Sequence, residues 1–412
     1  MRPTRFILGK CAAALLLVAL LGTPLGAADG DYGDYDLPPE PWLQLRALLD
    51  VRVGRPGRAT AWTERGPGKT RFGGKLVGDT FRHVTDVDLA QLAIELAADL
   101  PEGFVARAQL NLETGADIEW RPLLVDAYLR REFGDAASGW ALQAGVTNLP
   151  FSLEHAGPAW TPVYTLTPSA LGTWTWEEGR ITGVEAEGWR YGPWGVRLDL
   201  LGGFGFGSDQ AGILLAQRGW VLSDYLTGVN ATLPLPAEGA TTSVFDERDL
   251  RPAVYFMLAA NDPWDMGALR LGYFDNLGDT SIAGVWRTRF GSVGLELHPL
   301  PHVDLLGEFL EGETERAGLA DDSRFLSGYV LVSAHLGGHR VTFRYDNFRV
   351  KDLDGPPDTQ EHGDAMTFAY LFDFALNHRI GFEYVLLDSS HPALFAGNPP
   401  DDGWQLSYRY RF

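Results

Sequence analysis

The chain has 412 residues, including 49 Gly, 13 Trp, 14 Tyr, 22 Phe and a single Cys. It carries 34 Lys+Arg against 54 Asp+Glu, a formal net charge of −20 at pH 7. That balance argues against nucleic acid and anionic membrane surfaces as partners, because both recruit clustered basic side chains. A lone Cys excludes an intrachain disulfide.

Residues 1–28 read as a secretory signal. Arg2, Arg5 and Lys10 form a basic start, and Ala12 to Gly22 is an apolar run too short to span a bilayer as a helix. Gly26 and Ala28 suit the small-residue positions of a cleavage site, so the mature chain is expected to begin near Asp29. Cys11 precedes the apolar run and follows Lys10, which rules it out as a lipidation cysteine. Losing this segment removes the only Cys and three basic residues, taking the net charge from −20 to −23. A cysteine-free mature chain suits an oxidising compartment and excludes thiolate metal sites. It keeps only Lys69, Lys75 and Lys351. No later segment approaches ~18 uninterrupted apolar residues, which leaves a secreted soluble protein or a β-barrel.

Residues 29–41 (DGDYGDYDLPPEP) are acidic and rich in Pro and Gly, as in a flexible lead-in. Their aspartates are spaced somewhat like a calcium loop. However, Gly33 stands where a ligand is needed, and Asp34 where the turn glycine belongs.

From Trp42 onward the dominant period is two. Leu43, Leu45, Ala47, Leu49, Val51 and Val53 share one face, with Gln44, Arg46, Asp50 and Arg52 opposite. The pattern recurs at Ala106–Leu112 against Arg107 and Glu113, and at Val341, Phe343 and Tyr345 against Arg340 and Arg344. Strands are expected near 42–53, 86–99, 103–114, 117–133, 139–148, 180–191, 194–206 and 252–260. Eight more follow near 267–275, 280–298, 302–313, 325–336, 339–350, 365–375, 378–388 and 403–412. The sum is sixteen, an even number as bacterial barrels require, and short and long connections alternate along it. The alternation holds only if 280–298 is one strand. Its apolar face switches from Trp286 and Phe290 to Val293, Leu295 and Leu297, so a bulge is expected there.

The chain ends on Trp404-Gln405-Leu406-Ser407-Tyr408-Arg409-Tyr410-Arg411-Phe412, with apolar side chains at every even position. This terminal strand resembles the closing strand of Gram-negative outer-membrane β-barrels. The resemblance implies that Tyr410 and Phe412 serve as the signal for the barrel-assembly machinery. The expected fold is all-β: a transmembrane antiparallel barrel over 42–412, with a long loop folded into the lumen. Inward-facing Arg46, Asp50, Arg52, Arg107, Glu113, Arg340, Arg344, Arg409 and Arg411 would then meet water rather than lipid. Opposed rows of both signs either set a transverse field or simply satisfy one another.

Residues 146–188 carry a closer likeness. Gly145, Pro150 and Phe151, followed by Arg180, Gly183 and Val184, match motifs flanking a long loop in the phosphate-selective porin O/P-like group, with Ser152 replacing a glycine. The resemblance implies a lumen loop setting the pore constriction, with Pro150, Phe151, Glu154, Trp160, Trp174, Trp176, Glu177, Glu178 and Arg180 as its residues. It also implies a possible homotrimer. An ordinary capping loop or trimer contact is the alternative. The tryptophans offer either a sugar-stacking surface or wall packing. Phosphate specificity does not carry over, because the loop holds three glutamates and few basic groups.

Catalytic patterns are weak. Asp388, Ser389, Ser390 and His391 are loop neighbours, not a triad, and the pairs His298/His302 and His335/His339 lack a carboxylate at metal-ligand spacing. The expected protein is a porin without enzymatic activity, metal or other cofactor. Its expected surroundings are outer-membrane lipid and lipopolysaccharide. A substrate-specific uptake channel and a non-conducting structural barrel are the alternatives.

Overall fold

A computed structural model describes residues 42–412 apart from 79, 113–121, 265, 317–321, 354–359 and 391–401. The signal, the acidic lead-in, Glu113 and His391 lie outside the described residues. The first strands are β1 Leu43–Arg55, β2 Asp86–Leu100, β3 Phe104–Leu112, β4 Leu123–Gly134 and β5 Ser138–Asn148. Then come β6 Arg180–Tyr191, β7 Arg197–Gly207, β8 Ala253–Asn261, β9 Gly267–Asp275, β10 Arg287–Leu300 and β11 Val303–Glu315. The last five are β12 Ser323–Leu336, β13 His339–Asp352, β14 Glu361–Ala375, β15 His378–Ser390 and β16 Gly403–Arg411. Each pairs antiparallel with its chain neighbours, and β1 pairs with β16 to close the barrel. Closure leaves no unpaired edge, which is the condition for strands to cross a bilayer.

The closing seam sets Asp50 opposite Arg409 and Val51 opposite Tyr408. The C-terminal residue completes it: Ala47 N donates to Phe412 O at 2.7 Å and Phe412 N to Ala47 O at 3.0 Å. The two expected signal residues stack there, with the Tyr410 and Phe412 rings 5.6 Å apart.

Alternation is strict on most strands. On β12, Phe325, Ser327, Tyr329, Leu331 and Ser333 are buried inward, while Val330 and Val332 are exposed outward. Val341, Phe368, Tyr370, Ile380 and Phe382 are also exposed, forming the outward apolar belt. Aromatic and histidine rings crowd its short-turn end, where His339 stacks on Phe372 at 4.3 Å. His339 is thereby separated from His335, whose ring meets His302 at 5.4 Å instead.

The expected strand 280–298 is corrected. β10 begins at Arg287, and its register with β11 runs unbroken from Arg287 to Leu297. No bulge is needed. Trp286 is 1% exposed and packs in the preceding loop, where its N–H reaches Asp209 O at 2.7 Å. Phe290 points inward and is buried, while Val293, Leu295 and Leu297 point outward. The apolar face switches because the lumen at Phe290 is itself apolar.

Three adjacent strands share a glycine row, with Gly145 opposite Gly183 and Gly183 opposite Gly205. A Cβ on Gly183 would lie 2.3 Å from Phe204 O, and Gly145 has φ +146. The backbones approach there more closely than a Cβ permits.

An inward loop and its anchors

The loop 149–179 leaves β5 and returns to β6 through a narrow neck, closed where Leu149 N donates to Gly179 O at 3.0 Å. From that neck it reaches inward-facing side chains on well-separated strands. Phe151 wedges edge-on between Tyr255 of β8 and Phe290 of β10, at 6.2 and 5.4 Å. Space for it exists because position 272 is glycine: a Cβ there would lie 2.6 Å from the Phe151 ring. Leu153 N donates to Glu308 of β11 at 3.1 Å. Leu166 N and Thr167 N both donate to Glu383 of β15, at 2.7 and 3.0 Å. Trp160 Nε1 donates to Asp126 of β4 at 2.6 Å.

Arg344 of β13 is the strongest anchor. Its guanidinium donates to Glu154 at 2.9 Å, Asp346 at 2.8 Å, Thr167 O at 2.8 Å and Pro168 O at 3.0 Å. It is 0% exposed. The five donors of a guanidinium let one side chain serve two carboxylates and two carbonyls at once. Just beyond lies the helix α1, Ala170–Glu178. Ser169 caps it by accepting from Gly172 N at 2.9 Å. Glu154 accepts from Ser169 N and Asp346 from Ala170 N, which sets two carboxylates at the helix's positive end.

α1 docks on a second inserted segment, 208–252. Glu177 pairs with Arg218, and Glu178 accepts from Gly212 N at 3.0 Å. Thr173 and Ser223 exchange hydrogen bonds at 3.0 Å. Trp174 packs against Trp220, Phe290 and Phe325. Trp220 is tied to the wall by Glu361 and by the Arg349 carbonyl. Arg180 donates to Val125 O and to Thr227, joining β4 to this segment.

These geometries separate position from role. Glu154, Trp174, Trp176, Glu177, Glu178 and Arg180 are each at most 4% exposed. In this arrangement their side chains are buried and hold segments together. Trp174 and Trp176 bury both faces, so neither offers a stacking platform. Pro150 lies in the turn after β5.

The inward charges fall into two tiers. Asp50, Arg52, Arg344 and Arg409 are buried, with Asp50 accepting from Arg52 and Arg409 at 2.8 Å each. Nearer the short turns, Arg107 pairs with Glu95 at 2.7 Å, Arg340 with Asp304 at 2.6 Å and Arg411 with Asp373 at 3.3 Å. These remain partly exposed, and Arg46 is exposed. On the long-loop side a cavity of about 290 Å³ lies beside β1, β2 and β16, with Arg52, Arg71, Asp86, Asp88 and Gln405 in its wall.

Sequence reasoning missed Glu308, Glu361 and Lys69 as anchors; Lys69 pairs with Glu361. For Glu308 and Glu361 the only signal was a charge at an inward position, and Lys69 lies in the connection between β1 and β2, where alternation carries no signal. In segment 208–252, Asp209, Glu247 and Asp249 bring carboxylate oxygens within 4.8 Å of one another.

Neither a protein-family model nor a curated protein matches the chain. Solved structures do. An anion-selective porin from Comamonas acidovorans superposes with TM-score 0.54 at 12% identity, covering 90% of this chain and 99% of that one. The outer membrane channel DcaP of Acinetobacter baumannii gives 0.56 at 11% identity, with 90% and 97% covered. OmpF of Salmonella typhi gives 0.51 at 12%, also with 90% and 97% covered. The fold is that of a sixteen-stranded porin. At these identities the likeness speaks for the porin fold alone, and the loop anchors described above belong to this chain's own residues.

Proposed function

We propose that the protein is a porin of a Gram-negative outer membrane, passing small hydrophilic solutes or ions by passive diffusion. The observation that carries this reading is the pairing of a lipid-facing apolar belt with a charged inner wall in a closed barrel. Loop 149–179 is the constriction. It acts through where its anchors hold the backbone rather than through charges offered to the solute. The likeness of 146–188 to the phosphate-selective group supports this placement of the loop, and we do not extend it to phosphate. The partly exposed tier of paired charges near Arg107, Arg340 and Arg411 suits mixed solutes better than a single multivalent anion.

Residues 1–28 would direct export and be removed, and 29–41 would remain as a flexible lead-in. Outer-membrane lipid, lipopolysaccharide and the assembly machinery are the proposed surroundings, with a homotrimer as the assembly and no enzymatic step. A substrate-specific uptake channel is the second reading. The walled cavity beside Arg52 and Asp88 favours it, since its size suits one small solute.

Single-channel recording in a planar bilayer under a salt gradient tests the proposal. Steady open steps are expected, and the reversal potential reports which sign of charge dominates. Absence of conductance from folded, inserted protein would overturn the porin reading.

A further inference from the structure

The inner wall is chemically lopsided. Phe274, Phe290, Phe325 and Phe348 make the β9–β13 side apolar, whereas β1–β3 and β16 turn Arg52, Gln91, Gln109, Asn111 and Arg409 inward. On the polar side, Asp224 of the inserted segment 208–252 reaches Arg52 of β1 at 2.7 Å and Arg71 of the 56–85 connection at 3.5 Å. Both arginines are buried, each 3% exposed. Three separate elements thus build one carboxylate site. Arg52, Arg71 and Asp224 all line the cavity of about 290 Å³ described above, so the site borders a space large enough for a small solute.

The charge on that cavity's wall is not all paired. The ladder sets Asp88 of β2 directly opposite Arg52, both inward. Arg52 turns instead to Asp50, Asp224 and Gln405, and Asp88 makes no hydrogen bond or ion pair among the described residues. Glu64, Asp86 and Lys75 complete the charged lining, with Lys75 exposed at the rim. A solute carrying only a carboxylate would meet Glu64, Asp86 and Asp88 as like charges. A simple amine would leave the arginines to Asp224. A molecule with both groups on one carbon engages Asp88 and the arginines together, and Phe72, Val84 and Trp404 give its remainder an apolar face.

We propose that this cavity binds a free α-amino acid with an apolar side chain. The ammonium sits on Asp88, and the carboxylate takes Arg52 and Arg71 in place of Asp224. Asp224 is then an internal stand-in that the solute displaces. It also lines a second, water-sized cavity of about 10 Å³, shared with His155, Trp160 and Arg409. Trp160 leads on to Arg107, whose guanidinium lies 5.6 Å from its ring, in the partly exposed tier. Displacing Asp224 joins these spaces along the polar wall rather than through the middle of the barrel. The proposal rests on the uptake-channel reading above.

The test is isothermal titration of wild type, Asp88→Asn and Asp224→Asn, each folded in detergent. Probes are phenylalanine, its deaminated acid phenylpropionate and its decarboxylated amine phenethylamine. Each truncated probe loses one charge-assisted contact and should bind about tenfold more weakly than phenylalanine. Asp88→Asn keeps the shape of the side chain and should weaken phenylalanine by about the same factor. Asp224→Asn should do the opposite. With the competing carboxylate gone, binding tightens, by about tenfold if the arginines are otherwise free about a tenth of the time. A purely structural Asp224 predicts the reverse sign. Either truncated probe matching phenylalanine, unchanged binding by Asp88→Asn, or unchanged or weaker binding by Asp224→Asn overturns the proposal. Heat-modifiable migration checks the fold of each variant, and the wild-type probe series stands by itself should one not fold. Channel steps without phenylalanine binding overturn this proposal alone, and binding without channel steps overturns the porin reading alone.

Discussion

Replacing Arg344 by Ala isolates the loop anchor from the barrel wall. The side chain is 0% exposed and bridges Glu154 and Asp346, themselves buried. Removing it leaves two carboxylates in a dry interior with no cation, a loss of about 3–5 kcal/mol by analogy with other broken buried pairs. It also strips donors from the Thr167 and Pro168 carbonyls. No strand-ladder hydrogen bond is touched, so the cost should fall on loop 149–179 and not on barrel closure. Equilibrium unfolding followed by tryptophan fluorescence reads the loop when taken as the difference from a background with Trp160, Trp174 and Trp176 replaced by Phe, since the other ten of the 13 tryptophans lie outside it. Far-ultraviolet circular dichroism reads the strands. The fluorescence transition should move by about 3–5 kcal/mol and the strand transition by under about 1. Channel records should become larger and noisier. Arg344→Met combined with Glu154→Gln and Asp346→Asn removes all the charges together and should recover most of the loss. A cost for Arg344→Ala below about 1 kcal/mol, the level of an exposed pair, would refute the anchoring argument.

Deleting Ala156–Thr175 should raise single-channel conductance in a folded barrel, and unchanged conductance would remove the loop as constriction. Deleting Phe412 breaks both hydrogen bonds to Ala47 and should lower the amount of assembled protein in the outer membrane, measured by heat-modifiable migration. Glu247 is pushed up to about 7, by burial first and then by Asp209 and its neighbours. The folded group holds its proton more tightly than the unfolded one. Loop stability is therefore full below the ordinary value of 4.5 and declines as pH rises toward about 7. Limited proteolysis of the 208–252 segment should be faster at pH 8 than at pH 5, and Glu247→Gln should flatten that difference. Gly183→Val should block closure of the β5–β7 wall, because a Cβ there meets Phe204 O at 2.3 Å; normal yields of folded barrel would show that the wall can relax.

The strands were legible because lipid and wall impose a period of two that survives any loop. Residues 339–350 and 378–388 needed only their alternation to be placed. What the alternation concealed was the interior. Tyr255, Phe274, Phe290, Phe325 and Phe348 point inward, where a water-filled lumen predicts polar groups. They do so because Phe151, Trp174 and Trp220 fill that space from inserted segments. The same fact misled the reading of 280–298. The anchors were out of reach for a different reason. Arg344 lies 190 positions from Glu154, and Glu361 lies 292 from Lys69. A single sequence carries no signal linking residues so far apart. The inward face of β13 was readable, whereas the loop backbone meeting it was not.

The anchors of loop 149–179 also set an order of events. Its partners lie on β4, β11, β13 and β15, so they come together only after most of the chain has entered the sheet. The wall can zip from neighbour to neighbour, each step local. Thr167 of the loop also accepts from Gln405 of β16, so the interior has to wait for the closing strand. Maturation would then pass through a sealed but hollow cylinder that fills afterwards, and under the proposed function the late step is the one that shapes the passage. Substitutions inside could therefore retune permeation over evolutionary time while leaving the lipid-facing shell, and its insertion, unchanged.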